Sequence, residues 1–137
     1  MRYKAQVFVY SMLLSIPVLM TPVTSYQEEF DTIENTEPTP IEKTVKIMGT
    51  EENSIRSNPI YVRTFDIVTF VNLDGANGGT THSVISVKTG TTEPDGTFDS
   101  GLIRTGENFK TTLTEPGIYE YFDPTYPSIR GTIHVVW

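Results

Sequence analysis

The stretch Phe65-Asp66-Ile67-Val68-Thr69-Phe70-Val71-Asn72-Leu73-Asp74-Gly75 reads as a strand that runs into a turn. Ile67, Thr69 and Val71 share one face and Val68 and Phe70 the other, because successive strand side chains point to opposite sides. Asp74 to Gly79 is dense in turn residues. Outward from there the period of two returns at Thr44–Met48, His82–Val87, Phe109–Leu113, Gly117–Phe122 and Thr132–Trp137. Pro59–Val62 is a shorter run, Gly96–Leu102 reads as a turn, and Glu115-Pro116-Gly117 is a sharp one. No segment after residue 25 carries a helical period. Short strands at this spacing predict an all-β sandwich or barrel of about seven to eight strands.

These strands lie within Lys43–Trp137, a span long enough for one small sandwich core. The whole chain has 137 residues, no Cys and a formal charge of −7. Without Cys there are no disulfides, thiolate zinc sites, iron–sulfur clusters or cysteine nucleophiles. An acidic chain argues against nucleic acid as a partner, since that needs a basic face. The acidity is local, however. Six acids (Glu28, Glu29, Asp31, Glu34, Glu37 and Glu42) sit in residues 26–42 with no basic residue, beside Pro38 and Pro40. That segment reads as a solvated acidic tether. The domain itself keeps eight basic and eleven acidic residues, a net −3.

Residues 1–25 read as a signal peptide or an N-terminal anchor. Arg2 and Lys4 precede an apolar run from Ala5 to Met20, and Val23-Thr24-Ser25 has the small residues of a cleavage site. The run is short for a spanning helix. Either way the domain is expected to work outside the cytoplasm, touching a membrane only through this segment if it is not cleaved.

Six pieces of the domain, in order, resemble the cupredoxins, the plastocyanin- and azurin-like blue copper proteins. FDIVTFVNLDG resembles the strand and loop that lead to the first His ligand, and His82-Ser83-Val84 stands where that ligand is followed by an apolar residue. Phe98–Gly101 and Thr105–Phe109 are similar to the family's middle turns. Gly117–Phe122 leads into its ligand loop, and Gly131–Val135 resembles its closing strand. The resemblance implies a Greek-key β-sandwich or barrel of cupredoxin type, with copper binding and electron transfer as the family's usual work.

The ligand loop departs from the family pattern. Within Tyr119-Glu120-Tyr121-Phe122-Asp123-Pro124-Thr125-Tyr126-Pro127-Ser128-Ile129-Arg130-Gly131, the frame places Asp123 at the Cys position, Tyr126 at the second His and Ile129 at the Met. Of the four ligands the resemblance implies, only His82 remains. A blue copper site needs a soft thiolate and two imidazoles with a weak axial ligand. Asp123 is a hard oxygen donor, Tyr126 ligates strongly only as phenolate, and Ile129 cannot bind. The protein is therefore expected not to be a type 1 copper protein. Two readings stay open for His82, Asp123 and Tyr126. They form an altered site for copper or another hard metal ion, or His82 hydrogen-bonds Asp123 or loop backbone with no cofactor.

His134 alternates with Ile133 and Val135 and is expected to face outward. A tyrosine near Pro116-Gly117 fits a tyrosine corner. A patch of Tyr126, Pro127, Ile129 and Trp137, if exposed, would make a docking face. No enzymatic constellation emerges, because Ser83 beside His82 points to the other face and Asp95 and Asp99 are turn residues. The function expected is an exported binding or interaction module for a protein or small ligand. The alternative is an electron-transfer protein with a His/Asp/Tyr metal site.

Overall fold

The computed structural model describes residues 37–75 and 78–137; the expected signal segment and most of the tether lie outside them. Nine strands form: β1 (Glu42–Ile47), β2 (Ile55–Arg56), β3 (Ile60–Arg63), β4 (Ile67–Asn72), β5 (Ile85–Val87), β6 (Pro94–Asp99), β7 (Asn108–Thr112), β8 (Gly117–Phe122) and β9 (Arg130–Val136). They make one sheet in the order β2-β1-β4-β7 and another in the order β3-β9-β8-β5-β6. β1 pairs with β4, and β3 with β9, in parallel; the remaining pairs are antiparallel. No α-helix is present among the described residues. The architecture is a β-sandwich, as the alternation predicts.

Two of the strands were not expected from the pattern. β2 has only two residues, too few to show a period. β6 begins with Pro94 and carries Gly96 inside the span read as a turn; only Phe98 of its side chains is buried.

One face of each sheet builds the core. Val45, Ile47, Val68 and Phe70 come from one side, and Val84, Phe98, Tyr121, Ile133 and Val135 from the other. Burying each such side chain stabilises the fold by roughly 1.5–3 kcal/mol. Phe70 is the meeting point, with the Tyr121 ring edge-on at 4.9 Å and Phe98 at 5.8 Å. Tyr119 forms the expected tyrosine corner: its hydroxyl donates to the Glu115 carbonyl at 2.9 Å. Asn58 extends β9's ladder with a side chain instead of backbone. Its Nδ2 donates to the Arg130 carbonyl at 3.2 Å, and its Oδ1 accepts from the Thr132 N–H at 2.9 Å.

Candidate functional site

Three loops converge at one end of the sandwich. The first leaves β4 at Asn72 and is pinned by that residue. Asn72 Nδ2 donates to the carbonyls of Thr80 (2.5 Å) and Ile103 (2.9 Å), while its Oδ1 accepts from the Asp74 N–H at 2.9 Å. A fully buried amide thereby satisfies its own polar atoms and sets the loop's path. Thr105 Oγ1 donates to the Asp74 carbonyl at 2.8 Å and ties in a neighbouring loop.

His82 follows on an isolated bridge to Ile103, held by two backbone bonds of 3.0 and 2.7 Å. The third loop begins at Asp123, directly after β8. Asp123 N–H donates to the Ile129 carbonyl at 3.0 Å, and Ile129 N–H to the Tyr126 carbonyl at 2.8 Å, so residues 123–129 close on themselves.

The side chains meet in a row. His82 Nδ1 and Asp123 Oδ2 share a hydrogen bond of 2.8 Å, and His82 Nε2 lies 3.4 Å from Asp74 Oδ2. All three side chains are buried, His82 and Asp123 with no exposure at all. Asp123 Oδ1 accepts from the Thr125 N–H at 2.8 Å, with the Tyr126 N–H further off at 3.4 Å. One carboxylate thus anchors the imidazole with one oxygen and shapes its own loop with the other. Tyr126 is half-buried, its ring tilted 53° at 5.2 Å from the imidazole.

The structure brings His82, Asp123 and Tyr126 together. Ile129 brings no donor: it is 1% exposed and belongs to the hydrophobic core. The docking patch drawn through Tyr126, Pro127, Ile129 and Trp137 does not form, since Ile129 is buried and Trp137 lines a separate cavity with Phe65, Pro38 and Pro40. Asp74 was missed. Its neighbour is Gly75, and Asp-Gly in a turn-rich run reads as turn chemistry. Nothing local shows that its carboxylate folds back eight residues onto His82.

This donor set does not fit type 1 copper. The chain has no thiolate, and a second imidazole is absent from the row. A shared harder ion fits poorly as well. The two ring nitrogens of an imidazole point in different directions, so Asp74 and Asp123 flank His82 instead of surrounding a common point. Among the described residues, no group of three His, Cys, Asp or Glu side chains is arranged to hold a metal ion.

Solved structures share this fold. A purple cupredoxin from Nitrosopumilus maritimus is 19% identical with a TM-score of 0.53, the match covering 67% of this chain and 97% of that one. The copper-containing nitrite reductase from Thermus scotoductus is 26% identical with a TM-score of 0.55; the match covers 74% of this chain and 23% of that one. A reduced form of an amicyanin mutant is 22% identical with a TM-score of 0.53, covering 69% of this chain and 81% of that one. No protein-family model matches the chain, and neither does a curated protein. The chain has the cupredoxin fold, at a sequence distance that fits a divergent form of it.

Proposed function

We propose that this domain is a metal-free cupredoxin scaffold that works outside the cytoplasm as a binding or interaction module, not as an enzyme. The observation that carries this reading is the 2.8 Å contact between His82 Nδ1 and Asp123 Oδ2, both fully buried. In the frame of the resemblance, these are the first His and the Cys positions. Here they are joined directly, at an ordinary hydrogen-bond distance. The carboxylate gives the imidazole the fixed orientation that a metal would otherwise impose. Ile129 fills the fourth position with core packing.

Calorimetry with Cu(II), Zn(II) and Fe(III) on the wild type and on His82→Ala tests the reading. The expected result is no ion bound more tightly by the wild type than by the variant. Tight, His82-dependent binding of any of them would establish the alternative, an altered-site metal protein built on hard donors. A second arm restores the soft donors. Asp123→Cys with Tyr126→His would supply a thiolate and a second imidazole beside His82, the trigonal set of blue copper. Copper added to this double variant is expected to give an intense thiolate charge-transfer band, which the wild type cannot produce.

A further inference from the structure

We propose that the outer face of the five-stranded sheet pairs with the same face of a second copy of this chain. This inference does not depend on the state of the His82 site. On that face the register sets Tyr61 of β3, His134 of β9 and Ile118 of β8 side by side. Tyr61 and Ile118 are each 58% exposed, and Val136, two residues along β9 from His134, is 57% exposed. A β-sheet face covered by solvent is expected to alternate toward polar residues. Here Tyr61, Ile118 and Val136, on three adjacent strands, put exposed apolar surface around His134.

Two of the rings pack against each other. Tyr61 and His134 stack with centroids 4.7 Å apart and planes 23° from parallel, at the spacing of neighbouring strands. Each ring already restricts the other, which lowers the side-chain freedom lost when the pair is covered.

The charges name the occupant. Arg63 lies beside Val136 at one end of β9's outward row, on the β3 side. Glu120 lies beside Thr132 on the β8 side, two residues short of Arg130, which ends that row and stacks over the Phe122 ring. Arg63 and Glu120 thus flank the apolar group at opposite corners. An isologous contact must be self-complementary. A two-fold-related copy meets that condition by placing its Glu120 over Arg63 and its Arg63 over Glu120, with Ile118, His134 and Tyr61 between. Both charges have partners in their own chain that leave part of each group open: Arg63 Nη2 holds Asp66 at 3.4 Å and donates to the Thr39 carbonyl at 3.3 Å, and Glu120 accepts one N–H, from Gly90, at 2.9 Å.

Sedimentation velocity of the full chain from about 10 μM to about 1 mM tests this, the range in which a small interface should associate. The expected result is a mass that rises toward twice that of the protomer and falls back as salt screens the corner charges. Ile118→Asp and Glu120→Arg should each raise the midpoint concentration at least about tenfold. Both residues are partly exposed, so circular dichroism and Tm should stay close to wild type, which separates lost association from lost folding. A wild-type chain that stays monomeric at every concentration overturns the proposal. Association that Ile118→Asp leaves unchanged overturns it too, since the contact then lies on another surface.

Discussion

His82 Nδ1 lies 2.8 Å from Asp123 Oδ2, and neither side chain has any exposure to solvent. Breaking this pair from either side leaves the other partner short of a hydrogen bond in a dry site, with only Asp74 at 3.4 Å beside His82 and loop N–H groups on Asp123. The loss should therefore exceed that of an ordinary hydrogen bond. Asp123→Ala is expected to cost about 3 kcal/mol in urea unfolding, and His82→Ala a similar amount. Asp123→Ala also removes the acceptor for the Thr125 N–H, so it should be the costlier of the two. The double variant should cost less than the sum of the singles, because each single change already destroys the shared bond. Simple additivity would show that the two residues stabilise the fold separately.

Tyr121 presents the opposite case. Its side chain is 1% exposed, and its hydroxyl has no hydrogen-bond partner. Burial pushes the phenol well above its ordinary pKa, since a charged oxygen would be unsolvated there. Tyr121→Phe keeps the edge-on contact with Phe70 and removes an unsatisfied polar group. The variant should be as stable as the wild type or more stable by about 1 kcal/mol. A clear loss of stability would mean that the hydroxyl is satisfied in solution.

The sequence made the fold readable where one sheet face is dry. In β9, Gly131, Ile133 and Val135 are buried, while Thr132 and His134 are half-exposed, so the alternation is visible in residue types alone. β6 was not readable because its surroundings ask little of it: one buried Phe among exposed positions gives no period. Most of the candidate site was legible for a related reason: the sequence points to His82, Asp123 and Tyr126, and not to Asp74. Asp123 and His82 occupy positions that a resemblance can align. Asp74 reaches His82 from a backbone position held by the Asn72 amide, which also ties in Thr80 and Ile103, and such a placement is set by hydrogen bonds that leave no local pattern. Ile129 shows the limit of frame alignment. A residue can keep a ligand's place in the frame and still serve only the core.

Asp66 predicts how the domain responds to acid. Burial opposes its ionisation, but the N–H groups of Ile41 (2.9 Å) and Arg63 (2.8 Å), with the Arg63 guanidinium, outweigh burial and hold its pKa below the ordinary value. A carboxylate with a depressed folded-state pKa contributes stability above its unfolded value of about 4 and loses it as pH falls through the folded value. Asp66→Asn should therefore be less stable than wild type at neutral pH, with the difference shrinking below about pH 4. A difference that stays constant from neutral pH down into strong acid would rule out this linkage.

Gly131 is fixed by what lies over it. It pairs with Tyr121 across β8 and β9, and the tyrosine ring occupies the space that a side chain at 131 would need. An added Cβ would run into the Tyr121 hydroxyl and the ring carbon that bears it, and would sit 2.7 Å from Asn58 Oδ1. Neither neighbour yields easily. Tyr121 is locked against Phe70, and the Asn58 amide is held by both Thr132 and Arg130. Gly131→Ala is thus an overpacking change, expected to cost about 1–3 kcal/mol by thermal or urea unfolding. Tyr121→Phe should not rescue it, because the blocking ring carbon remains. Tyr121→Leu vacates that space, so Gly131→Ala should cost less in the Tyr121→Leu background than in the wild type. An equal cost in both backgrounds would place the demand for glycine in the backbone and not in the ring above it.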